Sequence, residues 1–375
     1  MRVPVAAVLL MLLPCMLHGA DAAAVRWHKK PLFPAIFSFG DSYADTGNYA
    51  VLEGDRPFNY SPYGETTGRP TGRASDGLLV IDYVAKGVDL PLVPPYLAKG
   101  QNFSEGANFA VIGARALDQA YFLEQNVTSP APMTNSSLAV QLRWFEELKP
   151  SLCRNATKRG CRDYLDRSLF GLGEFGGNDY LAFLAAKGVE QTTRSYVPVV
   201  IAAIAAGAER LIRHGARRLV LPGNVPMGCL PAILTLYASP DAADYDGYGC
   251  LRKFNALARY HNELLQSSVQ ALRAKHPNAA IAYANYYDPV LAFLTTPGLF
   301  GFNGGATLVA CCGGGGRYNF NPAAFCGFPP ATACADPATA VSWDGIHLTE
   351  AAYRNIAGTW LHGPFAEPPI LTLAP

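Results

Sequence analysis

Two kinds of apolar pattern alternate along this chain, and that alternation narrows the fold more than any other feature. Short apolar runs at 33–39, 108–111, 168–173, 218–221 and 280–284 read as strands, the second only in part. Longer runs with helical spacing lie between them, clearest at 193–214 and 250–276. In the latter, Leu251, Phe254, Leu257, Leu264 and Leu265 fall near one stripe and Pro277 closes the run. Strand, helix, strand in repetition predicts a parallel sheet covered by helices on both faces.

No charge run, Gly/Ser linker, compositional break or internal repeat divides the chain, so a single α/β domain over 25–375 is expected. The stretches 53–77, 118–137 and 298–342 read as long loops, a length that in compact domains usually serves a binding surface. Half of the residues are hydrophobic and 16% are charged, which suits a sizeable core. A formal net charge of +1 offers no electrostatic footprint for nucleic acid or an anionic membrane.

The N-terminus reads as an address. Arg2 precedes an apolar run over 3–17, broken only by Pro4 and Pro14, and small residues follow at Ala20-Asp21-Ala22-Ala23-Ala24. That run is shorter than the roughly 20 residues of a membrane span, so a cleaved signal peptide over 1–24 is expected, with an uncleaved anchor as the alternative. No later segment is read as spanning, and 197–206 runs quickly into Glu209 and Arg210. Sequons at Asn59, Asn102, Asn126, Asn135 and Asn155 fit N-glycosylation along a secretory route.

Beyond Cys15 stand Cys153, Cys161, Cys229, Cys250, Cys311, Cys312, Cys326 and Cys334. An even number in an oxidising compartment argues for disulfides, with pairings that the sequence leaves open. Cys153 and Cys161 flank a basic loop and could close it, and the last four lie in a Gly/Pro-rich segment that needs staples. No C-x-x-C or H-x-x-x-H occurs, so neither a metal site nor a cofactor is expected.

In an open parallel sheet the ligand site lies beyond the carboxyl ends of the strands, so the polar residues there carry the functional argument. Gly40-Asp41-Ser42 follows the first strand and can expose a serine oxygen on a tight turn, although Asp41 and Ser42 can equally cap a turn. Gly113 follows the second strand, where its N–H can approach a ligand or its backbone can merely bend. Gly176-Gly177-Asn178 follows the third and offers an amide donor. The G-x-G-x-x-G match at 171–176 lacks the helix start and acidic partner of a dinucleotide site and is set aside. Near the C-terminus, Asp344 precedes His347 by three residues, a spacing at which a carboxylate can orient an imidazole or simply prepare a helix start. His261 and His276 have no such partner and read as structural. Together these residues supply the roles acyl transfer requires: nucleophile, base, orienting acid and oxyanion donors.

Gly40-Asp41-Ser42, Gly113, Gly176-x-Asn178 and Asp344-x-x-His347, in that order, resemble the four blocks of the GDSL or SGNH hydrolases. The plant GDSL esterase/lipase branch is closer still, in 39–48, in Pro222-Gly223-Asn224-Val225-Pro226-Met227-Gly228-Cys229 and in 343–353. The resemblance runs from about residue 33 to the C-terminus. Gly64-Glu65-Thr66, the Leu90-to-Leu97 stretch and Cys311-Cys312-Gly313-Gly314-Gly315-Gly316 resemble a clade acting on acetylated alkaloids, choline esters and acetylated xylan. The resemblance implies a flavodoxin-like three-layer α/β/α sandwich. It also implies that Ser42 attacks the ester, His347 moves the proton and Asp344 orients His347. Ser42 N–H, Gly113 N–H and the Asn178 side chain would form the oxyanion hole. Ala74 departs from the branch, which often has Phe or Cys before Ser75-Asp76-Gly77, but this is not a catalytic position.

The expected substrate is an ester, small or carried on a polysaccharide. Two sequons beside the apolar Tyr121-Phe122-Leu123 argue against a lipid surface there, and favour a short acyl group such as acetyl on a cell-wall glycan or a specialised metabolite. Long-chain lipase and acyltransferase remain the alternatives. The expected location is the cell wall or, alternatively, the Golgi lumen; Leu373-Ala374-Pro375 is no retention signal.

Overall fold

Side chains of successive strand residues point to opposite faces of a sheet, and that period builds this molecule from the middle outward. In the computed structural model, which describes residues 31–54, 57–127 and 135–375, the strands are β1 (Ile36–Phe39), β2 (Gly106–Asn108), β3 (Leu169–Leu172), β4 (Arg218–Pro222), β5 (Ala280–Ala284), a small pair β6 (Cys312–Gly313) and β7 (Thr332–Ala333), and β8 (Ala366–Glu367). The main sheet runs β2-β1-β3-β4-β5-β8, with the first five strands parallel and β8 antiparallel at the edge. The order 2-1-3-4-5 is that of a flavodoxin-like doubly wound sheet.

Phe37, Phe39, Phe170, Leu172, Leu219, Leu221 and Ile281 enter one core. Their strand neighbours Ile36, Leu169, Val220 and Ala282 enter the other. The principal helices are α1 (Val80–Gly87), α2 (Leu138–Leu152), α3 (Gly177–Gln191), α4 (Val197–His214), α5 (Arg252–Lys275), α6 (Tyr287–Thr295) and α7 (Glu350–His362). Helices α2, α4 and α5 cover the first face, and α1, α6 and α7 the second. The expected three-layer sandwich is therefore the observed one, and Pro31–Pro375 forms one compact unit.

Most expected elements stand where the patterns put them, with shifted ends. The second strand is displaced. Its regular ladder covers Gly106–Asn108 rather than 108–111; beyond it the Asn108 carboxamide turns back to accept Ala110 N–H at 3.0 Å, while Phe109 N–H and Val111 N–H still donate to Ser38 O at 2.7 Å and Gly40 O at 3.2 Å. The helical run from α3 to α4 also differs from expectation: Gly177–His214 is long and apolar enough to cross a membrane by length and composition. Val197, Val200, Ile204, Ala208 and Leu211 on α4 are nevertheless buried in the first core, so that apolar side is already occupied. The expected N-terminal signal peptide lies outside the described residues.

Four disulfides form: Cys153–Cys161, Cys229–Cys250, Cys311–Cys334 and Cys312–Cys326. The first closes the basic loop locally. The last two staple the Gly/Pro-rich segment and pack with Phe58, Tyr63, Ala74 and Trp343 in a third cluster. Ala74, the position that departs from the plant branch, is fully buried there. Asn102, Asn126, Asn135 and Asn155 are exposed, whereas Asn59 is half-buried and its amide donates to the Gly54 carbonyl.

Candidate active site

The chain turns sharply where β1 ends. Gly40 stands at φ 148, and a Cβ there would come within 3.1 Å of the Gly173 carbonyl at the end of neighbouring β3. Gln141 on α2 clamps this turn by accepting Gly40 N–H at 2.9 Å and donating to Gly40 O at 2.8 Å. Asp41 accepts Tyr43 N–H at 3.0 Å, which fixes the turn around Ser42 between them. Ser42 is 5% exposed.

Three side chains gather the other strand ends onto this turn. Asp45 is fully buried and accepts the N–H groups of Gly47, Asn48, Tyr49 and Ile112, so it fastens the β2 exit loop beside the β1 exit loop. Gly113 follows with φ 80, a conformation that a side chain would strain. Asn178, in the first turn of α3, donates its amide to Asp41 Oδ2 at 2.8 Å and to Ala114 O at 3.1 Å, and so bridges the Ser42 and Gly113 loops. The Tyr43 hydroxyl donates to Ile346 O at 2.8 Å and ties the Ser42 turn to the residue beside His347.

Asp344 and His347 form a second turn. Asp344 Oδ1 accepts the N–H groups of Ile346 at 3.0 Å and His347 at 2.8 Å, while Oδ2 lies 2.6 Å from His347 Nδ1. Burial would raise the Asp344 carboxyl, but the His347 imidazole and these bonds outweigh it and hold the carboxyl below its usual range. A carboxylate on Nδ1 leaves Nε2 as the free edge of the ring, the arrangement a general base needs. Thr349 then accepts Ala352 N–H and caps α7, so the helix-start role belongs to Thr349 and not to Asp344.

The residues expected for the triad and the oxyanion hole thus belong to one junction at the carboxyl ends of β1, β2 and β3 and the start of α7. Sequence reasoning missed several neighbours. Tyr63 donates from the 57–68 segment to Asp344 Oδ2 at 2.9 Å, and burial pushes its hydroxyl well above the usual tyrosine range, so it keeps the proton it donates. The rings of Phe58 and Tyr43 flank His347 at 6.2 and 5.9 Å between centroids. Glu174 lay inside the discarded glycine match, whose only sequence signal was its position after a strand. His261 is buried on α5; its Nδ1 lies 2.6 Å from the Tyr180 hydroxyl and its ring packs against Gly176. His276, which ends α5, takes no part. Among the described residues no group of three metal-ligating side chains converges.

A small apolar cavity of about 100 Å3 opens beside Tyr43, Glu174, Asn178 and Ile346. Leu181, Val225, Met227, Leu230, Ile233, Leu236 and Phe320 make most of its wall.

The family model of GDSL-like lipases and acylhydrolases matches residues 36–360. The chain belongs to that family. A GDSL esterase/lipase of Arabidopsis thaliana is 44% identical over 347 residues, covering 90% of this chain and 92% of its relative. The sinapine esterase of Brassica napus is 41% identical over 343 residues, covering 90% and 87%. Among solved structures, phospholipase A1 from Streptomyces albidoflavus overlaps 87% of this chain and 99% of its own at 14% identity. Its TM-score of 0.29 is too low to bear on the site. This GDSL hydrolase is accordingly a carboxylic ester hydrolase.

Proposed function

We propose that this GDSL hydrolase cleaves a short acyl group, acetyl above all, from a polar carrier through an acyl-enzyme on Ser42. Ser42 Oγ attacks the ester carbonyl carbon and its proton passes to His347 Nε2. The tetrahedral oxyanion sits between Ser42 N–H, Gly113 N–H and the Asn178 amide. Collapse expels the alcohol, which takes the proton from His347. Water then attacks the acyl-enzyme, again losing a proton to His347, and the acid departs as Ser42 is restored. Asp344 orients His347 and supports its positive charge.

The single observation that carries the acyl preference is the cavity beside Asn178. Its volume of about 100 Å3 is below the ~150 Å3 of an apolar cavity that holds benzene, and a fatty chain would overrun it. The relation to a sinapine esterase supports a small metabolite ester as the alternative to a wall glycan such as xylan. Four disulfides fit an oxidising compartment, and four exposed sequons offer sites for N-glycans, so cell wall or Golgi lumen is the proposed workplace.

The test compares acetate release from acetylated xylan and small acetyl esters with fatty-acid release from a triglyceride emulsion. Faster triglyceride cleavage would overturn the acyl preference. A fluorophosphonate probe should label the protein and fail to label Ser42→Ala. Adding an acceptor alcohol and resolving the products separates hydrolysis from acyl transfer.

A further inference from the structure

Two acidic side chains meet in the site without a cation. Asp41 is 2% exposed and Glu174 4%, and the two carboxyls lie against one another. Among the described residues neither has a Lys, Arg or His within ion-pair distance. Two carboxylates in contact in a buried site cannot both ionise cheaply, and a hydrogen bond between them requires a proton.

The surroundings decide which oxygen atoms hold that proton. Asp41 accepts two donors, Tyr43 N–H at 3.0 Å and Asn178 Nδ2 at 2.8 Å, which favour a carboxylate there. Glu174 accepts only Gly177 N–H at 3.1 Å and also faces the apolar cavity. Burial first, then the Asp41 charge, pushes the Glu174 carboxyl well above its usual range; burial brings Asp41 to about 6. The other titratable groups around the pair are His347 and Tyr43 from the two turns, Asp179 and Tyr180 from α3, and Tyr286 before α6. None of them is a Lys or Arg.

We infer that Glu174 is a positioning residue that stays protonated at neutral pH and, by donating its proton to Asp41, sets the Asn178 amide beside Ser42. The consequence for the amide is specific. Both hydrogens of Asn178 Nδ2 have partners, Asp41 Oδ2 and Ala114 O, so an oxyanion must compete for one of them. A carboxylate that already accepts a proton from Glu174 is a weaker acceptor than a bare one. It orients the amide while leaving it free to strengthen toward the transition state, as preorganised donors require.

The inference rests on the proposed oxyanion role of Asn178, and two independent readouts separate the failures. Infrared spectra of the full chain near pH 8 should contain a protonated-carboxyl carbonyl band that is missing from Glu174→Gln, a nearly isosteric change that keeps a donor toward Asp41. Kinetics on p-nitrophenyl acetate should give Glu174→Gln a kcat close to that of the parent protein. Glu174→Ala should lose about 100-fold in kcat with little change in KM, the cost of a misplaced catalytic group. Absence of the carbonyl band from the parent protein overturns the inference. So does a Glu174→Gln enzyme that falls as far as Glu174→Ala, or a fully active Glu174→Ala. The spectrum judges the acid pair even where Glu174→Ala fails to fold. Inactivity of the parent protein, with Ser42 unlabelled by fluorophosphonate, would instead fault the proposed reaction.

Discussion

Asn178 and Tyr63 each make a contact whose removal has a distinct signature. If the Asn178 amide stabilises the oxyanion, its value lies in the transition state and not in the bound ester. Asn178→Ala should therefore lower kcat by about 100- to 1,000-fold with KM nearly unchanged; a loss confined to KM would contradict the role. Tyr63 acts one step further back, through its bond to Asp344 Oδ2. Removing that hydroxyl leaves a buried carboxylate short of one donor, worth about 1.5 kcal/mol for a charged acceptor. Tyr63→Phe should thus cost about tenfold in kcat/KM, read by steady-state kinetics, and unchanged kinetics would mean that His347 and the backbone hold Asp344 unaided.

Helices α3 and α5 meet at a buried polar contact, and there the elements predict a pH response. Tyr180 of α3 approaches His261 Nδ1 on α5, and burial lowers His261 to about 3. The Tyr180 hydroxyl, pushed well above its usual range by burial, keeps its proton and donates to the neutral ring. In the unfolded chain the imidazole takes a proton below about 6.5, whereas the folded chain refuses it. Stability is therefore fully present above about pH 6.5 and is lost as pH falls toward 3, by up to about 1.4 kcal/mol per pH unit from this group. The raised carboxyls of Asp41, Asp45, Asp179 and Glu174 act in the opposite direction over this range, so the reading is the difference between two proteins: in urea unfolding from about pH 7 to about pH 4, His261→Gln, which keeps an acceptor for Tyr180, should gain stability relative to the parent protein as pH falls. An equal slope in both proteins would remove His261 as the cause.

Across the whole molecule the disulfides serve different ends of the sheet. Cys153–Cys161 closes a loop that leads through the helix Lys158–Arg167 into the start of β3, at the end of the strands opposite the site. Cys311–Cys334 and Cys312–Cys326 brace the segment behind Asp344 instead. Cys311 N–H and Cys312 N–H donate to Ser342 O at 2.9 Å and Trp343 O at 2.7 Å. Replacing Cys312 and Cys326 together by Ser should lower stability by about 2–4 kcal/mol and reduce kcat as well. Replacing Cys153 and Cys161 should lower stability while sparing kcat. Thermal melting and esterase rates on both variants check this, and equal losses of activity would dissolve the distinction.

Much of this protein was legible in the chain because its signals are local. The short apolar runs 218–221 and 280–284 state that both faces of a strand are buried, the period of 3.6 in 193–214 and 250–276 states which face of a helix is, and alternation of the two kinds fixes a parallel sheet. The rule that sites lie past strand ends then led to Ser42, Gly113 and Asn178, while Asp344 and His347 announce themselves by spacing. The regular ladder of β2 ends at Asn108, sooner than the apolar run 108–111 indicated, where the Asn108 side chain folds back to accept Ala110 N–H. What the chain left open depends on contacts that carry no period. Tyr63 reaches Asp344 across 281 residues, and Asn178 reaches Asp41 across 137. Glu174 gains meaning only because folding buries it against Asp41. Disulfide pairing is likewise decided by which thiols the packed loops bring together. Periodicity tells each residue which way to face; only the assembled layers determine what it faces.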